Sequence, residues 1–140
     1  VITKEWFVIE TSTIAVIDDD AGVRSAVEDL LRSGGYQTRV FGKAADFLRS
    51  PEISECDCIV SDFQMPETSG LDLLRTLRFR RIDTPVIIIS ALMATTVQVK
   101  MAKAGAFDFV EKPFPPETFL EAVRSAVAKS SKWNRAAASR

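Results

Sequence analysis

Five polar residues interrupt otherwise apolar runs in this chain of 140 residues, and their types suit phosphoryl chemistry. Asp18 and Asp19 follow the run Ile14–Ile17, Asp62 follows Cys58–Ser61, Ser90 follows Val86–Ile89, and Lys112 follows Phe107–Glu111. Three carboxylates brought together repel one another and raise their own pKa values. A divalent cation resolves that conflict, and all-oxygen ligands favour magnesium, manganese or calcium over zinc. A lysine beside the group can pair with a carboxylate before reaction and with a phosphoryl oxygen after it. A serine hydroxyl can donate to another oxygen of the same group. A carboxylate can itself be the nucleophile, forming an aspartyl phosphate. Asp18 and Asp19 look like a metal pair, which leaves Asp62 as the candidate nucleophile. Taken singly, each aspartate reads equally well as a helix cap, and Asp20, just before Ala21 and Gly22, fits that role best.

The elements that must position these residues can be read from hydrophobic periodicity. The apolar runs Ile14–Ile17, Gln37–Phe41, Cys58–Ser61, Val86–Ile89 and Phe107–Glu111 read as strands. Between and after them lie amphipathic stretches at Gly22–Ser33, Lys43–Arg49, Gly70–Arg81, Thr95–Ala104 and Pro116–Lys129. The first presents Val23, Ala26, Val27, Leu30 and Leu31 on one face, and Gly34–Gly35 closes it. Leu71, Leu74 and Leu77 line the third, and Phe119, Leu120, Val123, Ala126 and Val127 the last. Pro51 closes the second stretch and Pro85 opens the most apolar strand. A strand followed by a helix, five times over, implies a parallel sheet covered on both faces. In such a sheet every strand end named above lies along one carboxyl edge, where ligand sites form.

Composition narrows the function classes. Hydrophobic residues make up 46% and charged residues 26%, values of a globular chain rather than a disordered one. The 18 basic residues nearly balance 19 acidic ones, so the net charge of -1 gives no general reason to bind nucleic acid or acidic membranes. No apolar run approaches the ~20 residues of a membrane span, and no signal peptide opens the chain. With no histidine, any mechanism needing an internal histidine base, nucleophile or ligand is excluded. Cys56 and Cys58 alone support neither a disulfide scaffold nor a zinc site, and a reducing cytoplasm suits them.

Through IAVIDDD, SDFQMPETSG, VIIISA and FVEKPF, in this order and spacing, the chain resembles the receiver domain of two-component response regulators over roughly Ile14 to Lys129. VIDDDAGVRSAVEDLLRSGGY and AGAFDFVEKPF look closest to the LuxR/FixJ-type subgroup. The resemblance implies a flavodoxin-like, doubly wound parallel sheet of order 2-1-3-4-5. It implies that Asp62 accepts a phosphoryl group from a phosphohistidine on a sensor histidine kinase. Asp18, Asp19 (the more direct of the two), Asp62 and the backbone carbonyl of Gln64 would hold magnesium, with manganese able to replace it. Lys112 would bind phosphoryl oxygens, and the Lys112–Pro113 peptide would be cis. Ser90 and Phe109 would form the switch, although Phe109 lacks the hydroxyl many receivers carry there. Ala91 would leave phosphodonors room to approach. Phosphorylation would bias a surface of the fourth helix, fifth strand and fifth helix toward a homodimer, and the output, through an effector domain absent here, would be transcription.

Residues 1–13, with Trp6, Phe7, Val8 and Ile9, read as an extra strand, a packed extension or added sequence, and residues 130–140 as a fraying helix end or linker. A start at valine is consistent with a processed or excised chain. Arg75, Arg78, Arg80 and Arg81 read as a solvated helix end rather than a nucleic-acid patch, because cations suit a helix C-terminus. No direct nucleic-acid contact by this chain is expected. Three other readings compete: a stand-alone receiver that relays phosphate or binds a target protein, a magnesium-dependent aspartate-nucleophile phosphohydrolase, and a receiver-shaped domain without phosphorylation. Ala21 after Asp18–Asp20 and the lack of a cap domain count against the hydrolase.

Overall fold

In the computed structural model, which describes residues 11–91 and 94–130, the five strands are β1 (Thr13–Ile17), β2 (Gln37–Phe41), β3 (Cys58–Asp62), β4 (Val86–Ser90) and β5 (Asp108–Glu111). All pair in parallel in the order β2-β1-β3-β4-β5, as the resemblance implied. The helices are α1 (Ala21–Ser33), α2 (Ala44–Arg49), α3 (Gly70–Phe79), α4 (Thr95–Lys103) and α5 (Pro116–Ala128). Trp6, Phe7, Val8, Ile9 and the 131–140 tail lie outside the described residues.

Because both faces are covered, strand side chains divide alternately between two apolar layers. Ile14, Val16, Cys58, Val60, Ile87 and Ile89 pack with α1 and α5. Ala15, Ile17, Ile59, Val86 and Ile88 pack with α2, α3 and α4 through Phe47, Leu73, Leu74, Leu77 and Met101. Each fully buried Leu or Ile contributes about 1.5–3 kcal/mol.

Several local readings are corrected. Ala26 is exposed, whereas Val27 and Leu31 carry the inner face of α1. The second helix ends before Pro51 as expected, and a 3-10 turn, Pro51–Glu55, follows it, with the Ser50 hydroxyl accepting from the Glu52 amide. Helix α3 stops at Phe79, two residues early, because Arg81 takes the left-handed conformation (φ 64) that a glycine normally supplies. Nor is the arginine cluster simply solvated. Arg78 Nη1 donates to the carbonyls of Ile82 (2.7 Å) and Thr84 (3.0 Å), and its Nη2 to that of Gly105 (2.9 Å). Arg80 donates to the Leu48 carbonyl at 2.8 Å. Arg78 thus fastens the α3–β4 connection to the turn after α4.

Candidate functional site

Three consecutive aspartates leave β1 and meet three different environments. Asp18 is buried at the end of the strand; its amide donates to the Phe41 carbonyl at 3.1 Å, and its own carbonyl accepts from Arg24 at 2.6 Å. Its Oδ1 accepts the Asp20 amide at 2.9 Å. Asp19 is exposed. Asp20 caps α1, its Oδ1 accepting from the amides of Gly22 (2.9 Å) and Val23 (3.1 Å).

Asp62 ends β3, between β1 and β4, with its side chain only 11% exposed. One carboxylate oxygen each from Asp18, Asp19 and Asp62 lies within 4.8 Å of the others. The Nζ of Lys112, just past β5, donates to Asp62 Oδ1 at 3.1 Å. Burial foremost pushes the Asp18 carboxyl up; the Asp20 amide opposes this, Asp62 adds to it, Lys112 opposes it, and Asp19 adds to it. Hard oxygen donors gathered with excess negative charge, one of them buried, fit a divalent cation of the magnesium type.

The backbone around Asp62 leaves little slack. The Phe63 amide donates to the Ile89 carbonyl and the Gly70 amide to the Phe63 carbonyl, both at 2.8 Å. A Cβ on Gly70 would lie 2.8 Å from the Asp62 carbonyl oxygen and 3.1 Å from Phe63 Cα, so only glycine lets α3 start this close. Ser69 and Asp72 form a reciprocal cap at the same helix end.

Ser90 is buried at the end of β4, opposite Glu111, and its carbonyl accepts the Lys112 amide at 2.8 Å. Ser90 and Phe109 border one hollow of about 200 Å³, and Phe109 is half-buried against the α2–α3–α4 layer. The Lys112–Pro113 peptide is cis. Ala91 and Gln64 are both exposed, in the loops after β4 and β3. The sheet therefore brings Asp18, Asp19, Asp62 and Lys112 into one cluster and sets Ser90, Ala91 and Gln64 along the same edge. Arg24 and Gly70 were not singled out in the sequence. An arginine four residues after the capping Asp20, and a glycine at a helix start, were the available signals.

The family described as response regulator receiver domain matches residues 14–124. The response regulator protein TodT of Pseudomonas putida F1 is 41% identical over 116 residues, covering 83% of this chain and 51% of TodT. The transcriptional regulatory protein FixJ of Azorhizobium caulinodans is 36% identical over 126 residues, covering 90% of this chain and 60% of FixJ. The solved response regulator StyR superposes with a TM-score of 0.82 at 31% identity, covering 93% of this chain and 66% of that one. The chain thus spans about half the length of the curated relatives it matches.

Proposed function

Given that this chain belongs to the response regulator receiver domain family, we propose that Asp62 accepts a phosphoryl group from a phosphohistidine of a sensor histidine kinase. The carrying observation is the 3.1 Å pair of Lys112 with Asp62, beside the carboxylates of Asp18 and Asp19 at the carboxyl edge of the sheet. An Asp62 carboxylate oxygen attacks phosphorus; the O–P bond forms as the N–P bond breaks, and the imidazole nitrogen keeps the electron pair. Lys112 exchanges its bond to Asp62 for one to a phosphoryl oxygen, and the Ser90 hydroxyl donates to another.

Asp18, Asp19, Asp62 and the Gln64 backbone carbonyl are the residues that would hold magnesium, or manganese in its place. When bound, that ion neutralises charge on the carboxylates and the transferring group. Ala91 keeps the approach to Asp62 open. The added charge draws Ser90 toward Asp62, and Phe109, beside the same hollow, follows; the surface of α4, β5 and α5 then favours a homodimer. In this reading residues 14–129 form the receiver, flanked by an extension and a linker. Relatives that are transcriptional regulatory proteins, about one and a half times as long as this chain, support output through an effector domain. The two free, buried thiols suit the reducing cytoplasm. No described helix is long and apolar enough to cross a membrane.

Intact mass after incubation with phosphoramidate tests the reading. One labile phosphoryl group is expected with magnesium, absent with EDTA and absent in Asp62→Ala, with a larger species on gel filtration of the labelled protein. An adduct of equal stoichiometry in Asp62→Ala would refute the assignment.

A further inference from the structure

At the end of the fold opposite the carboxylates, α3 and α4 border an open surface hollow of about 450 Å³ lined by Arg75, Arg78, Phe79, Lys100, Lys103 and Ala104. Phe79 is 87% exposed, the most exposed of the large hydrophobic side chains among the described residues. A single exposed ring is common on a protein surface, and it is the setting of Phe79 among four cations that sets this one apart. The cations around it are concentrated on the two helix ends and have no carboxylate within salt-bridge reach among the described residues. Arg32, Arg39, Arg49 and Arg124 each pair with a carboxylate elsewhere on the surface. Among the described residues, Arg75, Arg78, Lys100 and Lys103 form no ion pair within salt-bridge distance. The attraction of cations to helix C-termini accounts for some of these charges but not for Phe79.

The surface is also prebuilt. Arg78 ties the end of α3 to Ile82, Thr84 and Gly105, so the two helix ends do not need ordering when something binds. One exposed aromatic ringed by cations that have no carboxylate partner has the composition of a protein interface, with an apolar anchor at the centre and a charged rim. A nucleic-acid duplex, by contrast, is met by an element that enters a groove or by a long basic stripe, and this hollow is short and confined to two helix ends.

We infer that the α3–α4 hollow docks an acidic polypeptide segment of a partner protein, with an apolar residue of that segment packing on Phe79 and its carboxylates meeting Arg75, Lys100 and Lys103. The inference does not depend on phosphorylation of Asp62.

Fluorescence anisotropy on the full chain tests it with three labelled probes: a glutamate-rich peptide with a central Leu-Leu pair, its Ser-Ser counterpart, and single-stranded oligo(dT). The Leu-Leu peptide is expected to bind saturably, and about ten-fold more weakly to Phe79→Ser and to the double variant Lys100→Glu, Lys103→Glu. The Ser-Ser peptide should lose a similar factor on the unaltered protein, and added salt should weaken all acidic peptides. Both variants alter exposed side chains, and an unchanged melting temperature confirms their fold. Absence of saturable binding, equal affinity across the three proteins, or equal affinity of the two peptides overturns the inference. Tighter binding of oligo(dT) also overturns it and assigns the face to nucleic acid.

Discussion

Replacing Arg78 by Met should lower the melting temperature by about 10 °C without touching the phosphoacceptor chemistry. Three bonds run from one guanidinium to backbone carbonyls, at 2.7, 3.0 and 2.9 Å. A hydrogen bond to a charged group contributes about 1.5–3 kcal/mol, which would total about 5–9 kcal/mol if the three were independent. They share one group, and that group is half-buried. Burial works against its charge, with Asp83 partly restoring it. Once removed, the exposed Gly105 carbonyl finds water, whereas the carbonyl of buried Thr84 is less easily served. The net loss is then about 2–4 kcal/mol, and at about 3–4 °C per kcal/mol for a domain of this size the shift is about 10 °C. Arg78→Lys should lose most of the same stability, because one ammonium cannot reach both the α3–β4 connection and Gly105. Thermal unfolding followed by circular dichroism measures both variants. A loss under about 2 °C for Met, or full retention by Lys, would refute the clamp. Phosphoramidate labelling of folded Arg78→Met should proceed at the normal rate, since the clamp lies at the opposite end of the strands from Asp62.

Asp18→Asn should raise the melting temperature of the metal-free protein by a few degrees at neutral pH. Its folded pKa is raised, so its contribution to stability is fully present below the unfolded value of 3.8 and is lost as pH rises through the folded value. The advantage of Asn should therefore vanish in acid, and magnesium should stabilise the parent more than the variant; a pH-independent difference counts against this account. Gly70→Ala should cost about 1–3 kcal/mol from overpacking, less up to about 1 kcal/mol of helix propensity, and should slow Asp62 labelling because the Asp62 carbonyl itself must shift. Unchanged stability and rate would show that the backbone yields freely there. Burial pushes the Cys56 thiol up to about 12 and the Cys58 thiol higher still. A maleimide reagent at neutral pH should therefore modify both cysteines only as fast as the protein opens; rapid native-state labelling contradicts that.

The strand ends were legible because each apolar run stops at a residue that cannot stay in the layers. Ile17 is fully buried, and Asp18 after it is the first group needing polar partners. The five alternating units sufficed for a parallel sheet, although the division of Ile87 and Ile88 between opposite layers was hidden, since burial on both faces erases the period-two signal. Asp20 could be read as a cap because its partners are two and three residues away. Arg78 could not, because one of its partners lies 27 residues along the chain. Gly70 looked like an ordinary helix start, since its constraint comes from the backbone of Asp62. Phe79 fell at the end of a helical pattern where nothing in the local spacing distinguishes an outward ring from an inward one.

The pair that holds the acidic cluster in check joins residues 50 positions apart. A ribosome adding about 5–20 residues per second completes the strand bearing Asp62 several seconds before it makes Lys112. During that interval the carboxylates of Asp18, Asp19 and Asp62 exist in the nascent chain without their ammonium partner, and β4 and β5 have yet to extend the sheet beside β3. Synthesis order thus acts as a timer: until the fifth strand and Lys112 have been made, the carboxylate cluster lacks the cation that offsets its charge.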